Sequence, residues 1–119
     1  MTIQECYEKL QGDFAGASKR LINEKLLTRL VLKFPIDPSM QQLNEAVSQQ
    51  DIETSFRAVH TLKGVAANLG LSNLYQAAWN LTEQLRPRQE QADPELLNDL
   101  TKEYWFTIKT IAEFAESQG

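Results

Sequence analysis

Residues 59–70 of the chain read VHTLKGVAANLG and include its only histidine, His60. Read as a helix, this stretch places apolar side chains three and four residues apart along one face: Val59, Leu62, Ala66 and Leu69. The adjacent face, which we expect to lie outward, carries polar and small residues: His60, Lys63, Gly64 and Ala67. The pattern predicts a helix that packs on one side and exposes an imidazole on the other.

Gly64 is an unusual residue for the middle of this helix, because glycine there costs about 1 kcal/mol relative to alanine. The missing side chain leaves room for another molecule to reach the imidazole of His60, one turn away. Lys63 places an ammonium group on the same side of the helix. These three residues together indicate a chemical site rather than only a packing surface.

Helical periodicity extends over most of the sequence. It predicts four longer helices and two short ones, the longer over residues 18–34, 52–69, 73–86 and 94–116 and the short over 2–10 and 38–49. Strand-like alternation is absent from the sequence. We therefore expect an all-α fold, an antiparallel up-and-down four-helix bundle with one or two short additional helices, in a single domain over residues 1–119.

Proline, glycine and capping residues set the expected ends of these helices. Pro35 ends the helix 18–34, whose apolar face is expected to include Leu21 and Ile22 and whose solvated face includes Asn23. Gly70 is expected to end the helix 52–69 in a left-handed conformation. The expected N-caps are Asp37, Asp51, Ser72 and Asp93. In the last helix, Trp105 and Phe106 are interpreted as bundle packing.

Composition narrows the class of protein. The chain has 119 residues, is 42% hydrophobic and carries a formal net charge of −4, which fits a globular domain and argues against nucleic acid as the main partner. The single cysteine, Cys6, excludes an internal disulfide, and with one histidine we expect no metal site. No segment approaches the roughly 18 apolar residues of a membrane span, and the N-terminus lacks a signal-peptide pattern, so we expect a cytoplasmic protein that does not bind membranes.

The stretch around His60 resembles the signature of histidine-containing phosphotransfer (HPt) domains, the carriers of two-component phosphorelays. The family pattern is His-x-Leu-Lys-Gly, followed by a small and apolar run that ends with Gly ten residues after the His. Here it is matched without a gap from His60 to Gly70. The segment Phe56-Arg57-Ala58-Val59 also carries the apolar residue that the family usually shows four positions before the His.

The resemblance implies that His60 exchanges a phosphoryl group, through Nε2, with the aspartate of a response-regulator receiver domain. Lys63 would stabilise the phosphoryl oxygens, and Gly64 would keep the approach clear. The sequence holds no Gly-rich phosphate loop and no kinase motifs, so we expect no use of ATP and no cofactor of its own, with magnesium supplied by the receiver. The expected partners are a receiver domain or a hybrid sensor kinase, and the chain is expected to be a monomer.

Other residues are assigned to the expected docking surface and to the orientation of the imidazole. Helical spacing places Arg57, Ala67 and Leu71 around His60 as partner-binding residues. Many family members carry Glu or Gln 22 residues after the His, where it binds the other ring nitrogen. Thr82 occupies that position here, with Glu83 beside it, and both are candidates for orienting the ring.

The residues leave two other kinds of function open. One is a helical docking module whose histidine is never phosphorylated, although such a module has no reason to keep His60, Lys63 and Gly64 together. The other is an unrelated helical enzyme that uses His60 as a general base. Such an enzyme needs a carboxylate-lined pocket, and the sequence shows no obvious set of residues for one.

Overall fold

The computed structural model describes residues 1–21 and 23–118, which form helices joined by short turns and one longer loop. In chain order the helices are α1 (Ile3–Leu10), α2 (Phe14–Arg20), α3 (Glu24–Lys33), α4 (Ser39–Ser48), α5 (Ile52–Asn68), α6 (Ser72–Leu85) and α7 (Pro94–Gln118). A 3₁₀ turn, Phe34–Ile36, separates α3 from α4. The described residues contain no strand, and the predicted all-α class is confirmed.

Helices α4 to α7 each pack against their neighbour in the chain, which is the order of an up-and-down bundle. Helix α1 lies against α7, and α3 and the 3₁₀ turn also contact α7. One continuous core runs between the helices, and its largest fully buried aliphatic side chains are Leu27, Leu43, Leu62, Leu74, Leu81, Leu85, Leu100 and Ile111. Leu62 comes from the stretch around His60, so the inner face of α5 packs into this core as predicted.

Both ends of α5 are fixed by hydrogen bonds. At its start, the side chain of Asp51 accepts a hydrogen bond of 3.0 Å from the backbone N–H of Thr54, which confirms the predicted cap. At its end, Gly70 has φ of +66°, the left-handed conformation predicted for it. The backbone N–H of Asp13 donates to the Gly70 carbonyl at 2.8 Å. The segment that precedes α2 therefore holds the turn that follows α5.

The prediction of one helix over residues 18–34 is wrong, because the helix is interrupted between α2, which ends at Arg20, and α3, which begins at Glu24. Asn23 lies in an extended conformation with φ of −148°, and its side-chain oxygen accepts a 2.7 Å hydrogen bond from the N–H of Leu26. Asn23 is thus the N-cap of α3 and not a residue of a solvated helix face. Ile22, which was assigned to the apolar face of that helix, lies outside the described residues.

Three smaller expectations also need correction. Helix α6 begins at Ser72 with Leu71 as its N-cap residue, and no side chain caps it, so Ser72 is not the cap. Helix α4 begins at Ser39 with Pro38 as its N-cap residue, so Asp37 is not the cap. The side chain of Asp37 nevertheless accepts a 2.9 Å hydrogen bond from the N–H of Ser39. Trp105 and Phe106 are 59% and 42% exposed and do not pack inside the bundle.

Asp93 caps α7 as predicted, with its side chain accepting hydrogen bonds from the N–H groups of Glu95 and Leu96. Within the described part of the chain, no helix combines the length and the apolar character that crossing a membrane requires.

Candidate functional site

The outer face of α5 carries the residues that the sequence predicts there. His60, Gly64 and Ala67 are exposed, and Lys63 is half-buried. Val59, Leu62 and Ala66, on the other side of the same helix, are fully buried. The single imidazole of the chain therefore projects from the bundle surface one turn from an ammonium group, on a helix whose opposite face is held in the core.

Gly64 leaves open space beside the imidazole. Apart from its own helix backbone and its chain neighbours, no described atom lies within 4 Å of a Cβ built at this position. Packing inside the protein therefore gives no reason for a glycine here. This contrasts with Gly70, where a Cβ would lie 2.5 Å from the Asp13 carbonyl oxygen. The surface over Gly64 is therefore open to an approaching molecule.

Phe56 lies beneath the imidazole and links it to the loop that follows α6. The ring centroids of Phe56 and His60 are 5.7 Å apart, with the planes tilted by 32°, and Phe56 is only 8% exposed. The guanidinium carbon of Arg88 lies 3.6 Å from the centroid of the Phe56 ring, and that of Arg86 lies 5.4 Å from it. Both are within the range of cation–π attraction.

Sequence reasoning missed the two arginines. They lie 26 and 28 residues after His60, at the end of the predicted helix 73–86 and just beyond it, and only the fold brings them to the site. The signal in the sequence is their position: they flank Pro87, at the end of a helix that must run back alongside α5.

Two carboxylates neutralise part of this positive charge. Glu83 accepts a hydrogen bond of 2.8 Å from Nε of Arg86, and Nη2 of Arg86 lies 2.7 Å from the same carboxylate oxygen. Glu53 accepts one from Arg88 at 2.9 Å and one from Arg57 at 3.1 Å. The hydrogen bonds from these arginines hold the pKa of each carboxyl below its usual value, and for Glu83 the charges of Arg86, Lys63 and His60 lower the pKa further. The carboxylate of Glu83 is therefore close enough to Lys63 and His60 to be affected by their charges.

Of the two candidates for orienting the imidazole, Thr82 is held inside the bundle, and an orienting role for it stays a prediction. Its side chain is fully buried, while His60 is exposed, and its hydroxyl donates a 2.7 Å hydrogen bond to the carbonyl oxygen of Ala78. Glu83 is half-buried and is bound to Arg86. An orienting role for Glu83 stays a prediction.

The predicted docking residues divide into exposed and buried ones. Arg57 and Ala67 are exposed, and the carbonyl oxygen of Ala67 accepts a 2.8 Å hydrogen bond from Arg20 of α2. Leu71 is 2% exposed and belongs to the core, so its assignment to the docking surface is wrong. The turn after Gly70 directs this side chain into the bundle instead of outward.

Cys6 and the acidic residues are the other candidates for a reactive or metal-binding site. Cys6 is fully buried, and burial raises the pKa of its thiol to about 11, so a reactive thiolate does not form near neutral pH. Among the described residues, no group of three or more His, Cys, Asp or Glu side chains is arranged to hold a metal ion.

The family model for the Hpt domain matches residues 36–113, about two-thirds of the chain. The chain belongs to the Hpt domain family. The matched range starts at the end of the 3₁₀ turn and runs from α4 through most of α7, so this Hpt domain carries α1, α2 and α3 outside the matched part. No curated protein and no solved structure gives a significant match.

Membership of the family defines the general function. An Hpt domain is a phosphotransfer module of two-component signalling, and the family implies interaction with response-regulator receiver domains. The matched range includes His60 and the residues around it.

Proposed function

We propose that this Hpt domain carries a phosphoryl group on His60, accepting it from, and returning it to, the aspartate of a response-regulator receiver domain. The observation that carries the proposal is the arrangement on α5. The only imidazole of the chain is exposed, an ammonium group lies one turn away, and the space over Gly64 is open. A phosphoryl acceptor needs positioning and charge compensation, and this surface offers both.

The transfer step uses the neutral imidazole. The lone pair on Nε2 attacks the phosphorus of the aspartyl phosphate, the P–O bond to the carboxyl breaks, and the aspartate leaves as a carboxylate. The nitrogen–phosphorus bond forms while Nδ1 keeps its proton. Lys63 is half-buried one helical turn from His60, where its charge is screened less than that of a fully exposed lysine.

The receiver would dock over the exposed face of α5. Its contacts would include Arg57 and Ala67 on either side of His60, with Gly64 under the closest approach. Since Leu71 is buried in the core, we propose no receiver contact with the residues that follow the turn at Gly70. The receiver's acidic site and its magnesium ion would supply the rest of the reaction, without ATP or a cofactor held by this chain. We further propose that the protein works as a cytoplasmic monomer, with a receiver domain or hybrid sensor kinase as its partner.

The test is phosphoryl acceptance from a panel of ³²P-labelled receiver domains. The wild-type chain should acquire label that acid removes and base does not, which is the stability of phosphohistidine. His60→Gln should acquire none while keeping its helical circular dichroism, since an exposed side chain contributes little to stability. Binding of a receiver without label transfer would instead favour a docking module, and label retained by His60→Gln would refute the proposal.

A further inference from the structure

Arg88 adopts a backbone conformation that arginine rarely takes. Its φ is +54°, in the left-handed region that residues with a Cβ rarely adopt. Several interactions hold it there. Its N–H donates to the Leu85 carbonyl at 2.9 Å, its Nη1 donates to the Arg86 carbonyl at 2.8 Å, and its Nε donates to Glu53 at 2.9 Å. The loop after α6 is thereby tied to the first turn of α5.

These bonds place the guanidinium group against the aromatic ring that underlies the imidazole. The Arg88 carbon is 3.6 Å from the Phe56 centroid, and the Phe56 centroid is 5.7 Å from that of His60. Phe56 is almost fully buried, so its ring is confined between the loop and the bundle. Arg88, Phe56 and His60 therefore form a contiguous stack at the site.

We propose that Arg88 is a positioning residue for His60: by fixing the Phe56 ring, it restricts the imidazole to the rotamer that presents its edge to the partner. The expected effect of Arg88 on phosphoryl transfer rests on the proposed function of His60. An unrestrained exposed histidine samples several rotamers, and only some of them direct Nε2 outward. Transfer rates depend steeply on the placement of the reacting atom.

The test variant is Arg88→Asn, because asparagine tolerates the left-handed conformation and lacks the guanidinium group. Arg29→Gln is the matched control, since it removes an exposed arginine of α3 and changes the net charge equally. Two quantities are measured: the order of the His60 ring by NMR relaxation in the unphosphorylated protein, and the rate of phosphorylation by a small phosphoramidate donor. A small donor removes any contribution from partner docking.

We expect Arg88→Asn to lower the ring order and to slow phosphorylation about three- to tenfold, and Arg29→Gln to change neither. The rate deficit should persist at about 1 M salt, where interactions between exposed charges are screened. Phe56→Leu should give a similar deficit, and combining it with Arg88→Asn should add little, because both act on one stack.

Unchanged ring order in Arg88→Asn would overturn the inference, and so would a rate deficit that vanishes at high salt, which would show a charge effect alone. The ring-order measurement needs no phosphoryl group. If the wild-type protein accepts no phosphoryl group, the proposed function fails, while the ring order still decides whether Arg88 positions His60.

Discussion

Replacing Gly64 should separate the stability of this protein from its function. A Cβ at Gly64 meets open space, so Gly64→Ala gains helix propensity without a clash. The gain is about 1 kcal/mol, which corresponds to an increase of about 4 °C in Tm for a domain of this size. Thermal and urea unfolding followed by circular dichroism measure it. Larger side chains, Gly64→Leu and Gly64→Trp, should also fold stably.

The rate of phosphoryl transfer from a receiver should fall as the side chain at position 64 becomes larger, although the stability rises. Interfaces pack as densely as protein interiors, and overpacking typically costs 1–3 kcal/mol, which slows transfer from a receiver roughly five- to 150-fold. The control is Ala112→Leu, which places a leucine at an exposed position of α7 as Gly64→Leu does on α5. It should leave the rate of transfer unchanged. If Gly64→Trp accepts the phosphoryl group from a receiver at the wild-type rate, Gly64 does not serve to keep the approach to His60 clear.

Three further predictions concern charge, strain and pH. Lys63→Ala should slow transfer from a receiver roughly tenfold without abolishing it, because an ammonium group near the phosphoryl oxygens is lost; a wild-type rate would exclude Lys63 from the site. Gly70→Ala should lower the free energy of unfolding in urea by at least about 2 kcal/mol, because the new Cβ is strained in the left-handed conformation and clashes with the Asp13 carbonyl. A free energy of unfolding that rises, as for Gly64→Ala, would contradict this. The pKa values of Glu53 and Glu83 are lowered in the folded state from 4.5 by hydrogen bonds from arginine, so their contribution to stability should be complete above pH 4.5 and lost as the pH falls through the lowered values. Glu53→Gln should flatten the acid limb of a stability–pH curve, and an unchanged limb would contradict this assignment.

The sequence predicted the parts of this fold that depend on local signals. The inner face of α5, the Asp51 and Asp93 caps and the left-handed Gly70 each follow from residue spacing or from one residue type, and the structure confirms them. The outward position of His60 follows from the same periodicity. These features need no knowledge of how distant parts of the chain meet.

The errors come from residues whose role is decided by competition or by distant contacts. Asn23 interrupts a nearly continuous apolar pattern, and its cap outweighs the periodicity that predicts one long helix. Leu71 has helical spacing from Ala67, but the turn at Gly70 changes its direction and buries it. Arg86 and Arg88 belong to the site only because α6 returns alongside α5 and ends next to Phe56.

The N-terminal helices show a further limit of local reasoning. Residues before 36 lie outside the family match, yet Arg20 caps the carbonyl of Ala67, on the face that carries His60. Tyr7 likewise donates to the carbonyl oxygen of Leu69 at the end of α5. Neither contact has a signal in the sequence, since the paired residues are far apart along the chain.

Locating the phosphoryl group by NMR decides whether His60 carries it. After incubation with a phosphorylated receiver, ³¹P and ¹⁵N spectra of the chain should show phosphorus bonded to Nε2 of His60, with Nδ1 unmodified. A phosphoryl group on any other residue, or a chain that binds the receiver and stays unmodified, would contradict the account.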